Sequence, residues 1–122
     1  MKITNSSVFK AMEDFAPLDF AFTWDNVGLQ VGSYHKQVKK VMITLDVLES
    51  IVDEAIENDV DLIIAHHPML FIPLKQINSD TQKVLVIQKL IKHDITVYAS
   101  HTNLDIAAGG VNDLLLNALE LN

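Results

Sequence analysis

The chain has 122 residues, 49% of them apolar, with three prolines and four glycines. This is enough for one globular domain with a hydrophobic core and excludes a disordered protein. It contains no cysteine, so a disulfide, a thiolate metal site and a catalytic thiol are excluded. The net charge of −7 repels a phosphate backbone, so we expect no nucleic-acid partner.

The first part of the chain predicts one helix and one short strand. Its opening residues, MKITNSSVFKAMED, lack the apolar region of a secretory signal, and no later stretch has the ~20 apolar residues of a membrane span. We therefore expect a soluble, cytoplasmic protein with no membrane partner. Apolar residues at helical spacing predict a helix over Asn5–Phe15, ended by Pro17, and Gly28–Val31 is predicted as a strand.

The rest of the chain alternates apolar runs with amphipathic segments. Strands are predicted over Val38–Leu45, Val60–Ala65 and Ile95–Ala99, and helices over Glu49–Glu57, Thr81–His93 and Val111–Leu121. Unbroken apolar strands separated by single helices indicate a mainly parallel sheet covered on both faces, that is, a layered α/β/α fold. No linker or repeat interrupts the pattern, so residues 1–122 are predicted to form a single α/β domain.

Residues that can bind metals follow three of the predicted strands. These are Asp46, then His66 and His67, then His101 and Asp105. Ligands of parallel sheets bind beyond the carboxyl ends of the strands, so these side chains are expected at one rim of the sheet. Imidazoles and carboxylates bind Zn, Mn or Fe without sulfur, and the pattern therefore predicts a metal site.

The adjacent histidines in LIIAHHPMLF favour a site with two metal ions. Consecutive side chains of a strand point to opposite faces, so His66 and His67 are better placed to serve two ions than to grip one. Pro68 restricts His67 to extended geometry. The two oxygens of Asp105 could bridge a metal pair ~3.5–4 Å apart.

Other interpretations of the same residues stay open. Adjacent histidines at a strand end are often only hydrogen-bonded to backbone. His101 can be a ligand, a general acid or base, or a buried histidine bonded to a carbonyl, and its four-residue spacing to Asp105 falls in a predicted loop. Asp46 fits a turn or a helix cap better than a ligand.

Three further features have mainly structural interpretations. In TWDNVGLQVG we predict an Asx turn and a buried Trp24 packed over the start of a strand. The paired glycines of AAGGVND predict a turn before the last helix. His35 and His93 are predicted at the surface.

Four segments together resemble a known family. In order they are WDNVGLQVG, the dipeptide Leu45–Asp46, IIAHHPMLF and YASHTNLDIAAGGVND. They resemble the N-terminal part of the Nif-three-like proteins (NGG-interacting factor three-like), often labelled GTP cyclohydrolase I type 2 homologues. The resemblance runs over nearly all of the chain, and HHP followed by HTNLD is its most specific pair of motifs.

The resemblance implies a dinuclear metal protein. His66, His67 and Asp105 would be ligands of two divalent ions, which could be Zn, Fe, Mn or Ni, and Asp105 would bridge them. His101 would line the site. A layered α/β/α fold and a ring-shaped homohexamer are also implied.

The resemblance also implies that the site is shared with a following region. Family chains are commonly at least twice as long, and a histidine and a glutamate from that region complete the ligand set. No histidine follows His101 here. We therefore expect this chain to be the N-terminal portion of a longer protein, with part of the ligands.

Two functions are consistent with these residues. The first is a metal-dependent hydrolase in which the metal pair activates water and His101, as the catalytic residue, shuttles a proton. By resemblance its substrate is a nucleotide such as GTP, or another small molecule. The alternative is a non-catalytic metal-binding or protein-interaction module of an oligomeric ring.

Overall fold

The computed structural model describes residues 2–78 and 80–119. Its helices are α1 (Asn5–Phe15), α2 (Glu49–Glu57), α3 (Gln82–Lys92), α4 (Thr102–Ile106) and α5 (Val111–Ala118), with a short 3-10 helix at Leu18–Phe20. Its strands are β1 (Gly28–Val31), β2 (Val41–Thr44), β3 (Leu62–Ala65) and β4 (Thr96–Ala99). None of the helices in the two described ranges is long and apolar enough to cross a membrane.

Each predicted helix and strand is present, with ends that differ by a few residues. The predicted final helix, 111–121, extends through Ala118, and its last two residues lie outside the described ranges. The loop predicted for HTNLD is wrong, because Thr102–Ile106 forms α4. A five-residue helix is too short to show an apolar period in the sequence, which is why the pattern did not reveal it.

The four strands form one sheet in the order β1-β4-β3-β2. β2, β3 and β4 are parallel, whereas β1 runs antiparallel to β4. The prediction of a mainly parallel sheet is confirmed. Thr44, Ala65 and Ala99 lie side by side in register, so the three parallel strands end level with one another.

Two apolar clusters cover the two faces of the sheet. Leu62 and Tyr98 point to one face, where Phe9 of α1 packs against them. Ile63 and Val97, one position along, point to the other face and join residues of α2 and α3. The predicted α/β/α layering is therefore confirmed.

The cover is incomplete at the edge strand β2. Ile43 is 80% exposed, and Val41 and Leu45 on the same side are also exposed. Full cover of both faces, as predicted, is therefore wrong at this strand. The reason is that α1 packs over β3 and β4, at Leu62 and Tyr98. Within the described residues, the same face of β2 stays exposed.

Asp61 holds the chain in place just before β3. Its Oδ2 accepts hydrogen bonds from the backbone N–H groups of Lys39 and Lys40, at 2.8 and 3.0 Å, and its Oδ1 lies 3.6 Å from the Lys36 ammonium. Burial raises the pKa of the Asp61 carboxyl, but these hydrogen bonds and the lysine charge together lower it by more. The net pKa therefore lies below the usual value.

Replacing Asp61 with asparagine should make the free energy of unfolding less dependent on pH in the acid range. A carboxyl whose pKa is lower in the folded state stabilises the fold above its unfolded pKa, and this contribution is lost as pH falls through the folded pKa. We expect Asp61→Asn to lower the free energy of unfolding by about 1 kcal/mol at pH 7 and by less at pH 3. Urea unfolding at both pH values measures this, with Asp19→Asn, at an exposed position, as the control.

Candidate metal centre

The level ends of the parallel strands bring three histidines to one rim. His66 and His67 directly follow β3, and His101 comes two residues after β4. The strand ladder continues past the ends, because His66 N–H donates to Thr44 O and His67 N–H to Leu45 O, at 3.2 and 3.0 Å. The backbone positions of both adjacent histidines are thereby fixed by β2.

The three imidazoles face one another. The ring centroids of His66 and His101 are 5.0 Å apart, and those of His67 lie 5.3 Å from His66 and 5.4 Å from His101. One ring nitrogen of each lies within 4.8 Å of the others, so the three residues could hold a metal ion. We call His66, His67 and His101 the histidine cluster.

Hydrogen-bond acceptors hold the Nδ1 atoms of the two adjacent histidines. His66 Nδ1 lies 2.8 Å from Ser100 O, and His67 Nδ1 lies 2.7 Å from Asp46 Oδ1. A carbonyl or carboxylate oxygen can only accept, so each Nδ1 carries the proton and donates it. The Nε2 lone pair of each neutral ring is then free, which is the arrangement that metal-binding histidines use.

His101 has the same arrangement, with a buried carboxylate as its partner. Its Nδ1 lies 3.1 Å from Asp25 Oδ2, and the Asp25 side chain is fully buried. Burial raises the pKa of the Asp25 carboxyl, but hydrogen bonds from Thr102, His101 and Asn26 outweigh that effect and lower the net pKa. Asp25 is therefore a negatively charged acceptor at neutral pH.

Asp105 reaches the cluster from α4. His101 is the residue that precedes this helix, and Asp105 N–H donates to His101 O at 3.1 Å, so the two residues are one helical turn apart. Asp105 Oδ1 lies 3.5 Å from His66 Nε2. Because the proton of His66 is on Nδ1, two acceptors face each other across this gap, and a shared cation or a proton would relieve their repulsion.

The donor set fits a divalent transition metal. Imidazole nitrogens with a nearby carboxylate suit Zn, Fe, Mn or Ni. The exposed fractions of the side chains are 22% for His66, 45% for His67 and 22% for His101, so the cluster opens to solvent on the His67 side. Such an opening lets further ligands or a substrate approach.

Two residues differ from their sequence interpretations. Asp46 lies in the bend after β2, which agrees with the turn interpretation, but it does not cap α2, whose first turn is preceded by Leu48 without a side-chain cap, and its carboxylate accepts from His67 Nδ1. Trp24 was predicted as buried, and this is wrong because it is 59% exposed and packs against Phe22 and Phe71. His35 and His93 are exposed, as predicted.

Sequence reasoning missed Asp25. It comes three residues before Gly28, which pairs with Ala99 in the antiparallel ladder of β1 and β4. Residues that precede an antiparallel strand lie at the same rim as residues that follow its neighbour, so Asp25 meets His101. The only signal in the sequence was its position within WDNVGLQVG, and this stretch does not indicate the direction of β1.

The chain is similar to one protein family and to named relatives in it. The family described as Duf34/NIF3 (NGG1p interacting factor 3) matches residues 3–122. A relative from Listeria innocua, named GTP cyclohydrolase 1 type 2 homolog, is 58% identical over 99% of this chain. A relative of the same name from Bacillus subtilis is 54% identical over 98% of it. The chain spans 33% and 32% of these two relatives, about a third of each.

Solved structures of related proteins have the same fold. A Bacillus cereus protein related to NIF3 matches 99% of this chain with 46% identity and a TM-score of 0.92, over 34% of its own length. Reduced HcgD from Methanocaldococcus jannaschii matches 100% of the chain with 35% identity and a TM-score of 0.93, over 49% of its own length. The chain therefore belongs to the Duf34/NIF3 (NGG1p interacting factor 3) family.

Proposed function

We propose that this chain supplies the histidine-rich half of a site for two divalent metal ions in a metal-dependent hydrolase. The observation that carries the proposal is the histidine cluster, in which every Nδ1 lies within hydrogen-bond distance of an acceptor oxygen. With the proton on Nδ1, every Nε2 is an acceptor. Three imidazoles arranged in this way at the end of a parallel sheet match the requirements of a metal centre better than those of a packed core.

Each residue has a definite role in this proposal. His66 and His67 would hold the metals through Nε2, and Asp105, whose Oδ1 lies 3.5 Å from His66 Nε2, would be the bridging ligand. Divalent ions supply the Lewis acidity that activates water near neutral pH. His101, with Nε2 free, accepts a proton from the nucleophile or provides a further ligand.

The class of substrate comes from the names of the relatives. Several are called GTP cyclohydrolase 1 type 2 homolog, and we propose a nucleotide whose imidazole ring is opened by hydrolysis. Any further histidine or glutamate that completes the ligand set would come from sequence outside this chain, since the chain spans about a third of these relatives.

Removal of the metal should abolish turnover in the full-length protein. We expect purified protein to contain divalent metal, and we expect hydrolysis of at least one member of a panel of nucleotides to stop after chelation and to return when the metal is restored. Asp105→Ala should lose more than about 100-fold in turnover, because a bridging ligand orients both metals. Asp19→Ala, at an exposed position, is the matched control.

Different results would reject different parts of the proposal. Protein that binds no divalent metal under any condition would refute the metal site. Bound metal without turnover of any nucleotide would refute the hydrolase and leave the metal-binding module.

Exposed apolar surface favours a second candidate function, a metal-binding interaction module in an oligomer. Leu114, Leu115 and Leu116 of α5 are 61%, 55% and 45% exposed, and Ile43 of β2 is 80% exposed. Exposed apolar surface of this extent commonly marks a protein–protein contact. A ring-shaped homohexamer is the assembly that we propose, and sedimentation of the full-length protein with and without metal tests it.

A further inference from the structure

We propose that Asp25 is a positioning residue for His101: its buried carboxylate holds the ring in the tautomer that leaves Nε2 unprotonated for the histidine cluster. The use of this tautomer, which is to bind metal or carry a proton, rests on the proposed function. The tautomer itself is a property of the metal-free protein and is tested separately.

The hydrogen bonds of Asp25 have a direction that the surrounding groups determine. The backbone N–H of Phe22 donates to Thr102 Oγ1 at 3.0 Å, so this hydroxyl oxygen is already an acceptor. The Thr102 hydroxyl in turn lies 2.6 Å from Asp25 Oδ2, and the hydroxyl proton points to the carboxylate. Asp25 is therefore the end point of a chain of donors.

Further donors occupy the remaining lone pairs of Asp25. Thr102 N–H donates to Oδ2 at 3.1 Å, and Asn26 N–H donates to Oδ1 at 2.9 Å. His101 Nδ1 lies 3.1 and 3.2 Å from the two oxygens. A carboxylate that accepts from all sides has no proton to give, so His101 Nδ1 must be the donor and Nε2 the bare nitrogen.

The partners of the other two rings constrain them less. His66 donates to a neutral backbone carbonyl, Ser100 O. His67 donates to Asp46, whose side chain is 48% exposed, so water competes for that carboxylate. The Asp25 side chain has no exposed surface, and a charged hydrogen bond shielded from water is stronger than one in contact with it. His101 is thus the ring with the most firmly determined tautomer.

The backbone around His101 supports the same arrangement. His101 N–H donates to the side chain of Asn103 at 2.8 Å, and the Asn103 amide donates to Ala16 O at 2.9 Å within the core. The main chain of His101 is therefore anchored independently of Asp25. Besides accepting from Thr102 and Asn26, Asp25 sets the His101 ring and its proton.

Nitrogen NMR of histidine-labelled, metal-free protein reads the tautomer directly. At a pH where His101 is neutral, we expect its Nδ1 to be protonated and its Nε2 bare, with the signals assigned by His101→Gln. In Asp25→Asn the amide can also donate, so we expect the tautomer preference to be lost or reversed. If His101→Ala also lowers Zn²⁺ affinity, which identifies His101 as a ligand, Asp25→Asn should lower it by about 10–100-fold, the usual effect of removing the partner of a metal-binding histidine.

Two control variants separate positioning from folding. Thr102→Val removes the hydroxyl donor but keeps the carboxylate, and the tautomer of His101 should be unchanged. Asp46→Asn should change the spectrum of His67 and leave that of His101 as it is. If Asp25→Asn does not fold, the wild-type and Thr102→Val spectra still decide, because a protonated His101 Nε2 in either would overturn the proposal.

The remaining outcomes are also decisive. An unchanged His101 tautomer in folded Asp25→Asn refutes the positioning role. So does a Zn²⁺ affinity of Asp25→Asn equal to that of wild type, where His101→Ala lowers this affinity. A tautomer that depends on Asp25 in a protein that binds no metal supports the positioning role and refutes the proposed metal-dependent hydrolase instead.

Discussion

Replacing His66 with alanine should weaken Zn²⁺ binding by more than about 100-fold, beyond the effect expected for loss of a residue that only contacts a ligand. His66 combines a free Nε2 with the contact to Asp105, so its removal takes away a nitrogen ligand and leaves that carboxylate without its partner. Competition with a chromophoric chelator measures the affinity in the full-length protein. His35→Ala is the matched control, because this histidine is exposed and lies outside the histidine cluster.

The same titration assigns the role of His101. If His101 is a ligand, His101→Ala lowers Zn²⁺ affinity about as much as His66→Ala does. If His101 is a proton carrier, His101→Ala leaves Zn²⁺ affinity close to wild type and lowers only turnover. Wild-type affinity in His66→Ala would contradict the site altogether, whatever the result at His101.

Replacing Gly32 with alanine should be strongly destabilising. Gly32 has a φ of +114°, and an added Cβ would lie 2.8 Å from the Cβ and 2.9 Å from the Cα of Thr96. Thr96 is fully buried in β4, and Asn5 Nδ2 donates to its hydroxyl at 2.9 Å, so it has no room to move. Backbone strain and the steric clash together should cost about 3–5 kcal/mol of the free energy of unfolding.

Gly28→Ala is the control that isolates the clash. Gly28 has a similar φ of +97°, but its added Cβ would meet only Leu18, at an ordinary distance of 3.5 Å. We expect a loss of about 1–2 kcal/mol from backbone strain alone. Urea unfolding of the two variants gives the comparison, and equal losses would show that β4 yields to the added methyl group.

Local pattern was sufficient for the longer helices, for the strands and for the position of the histidines. The apolar periods of Asn5–Phe15 and Glu49–Glu57 predicted both helices with the ends observed. Apolar strands followed by HHP and by HTNLD placed the histidines at one rim, because parallel strands in register end together. Side-chain periodicity is a property of neighbouring residues, and single helices between apolar strands imply parallel pairing, which is why the sequence alone was sufficient for these features.

Tertiary structure decided which partners each imidazole has. The antiparallel pairing of β1 with β4 brings Asp25 beside His101, 76 residues away in the chain. Because β2 ends level with β3, Asp46, expected as a turn or helix-cap residue, is also the hydrogen-bond partner of His67. These contacts depend on strand order and direction, which follow from the free energy of the whole packed sheet and are not encoded in any short stretch of residues.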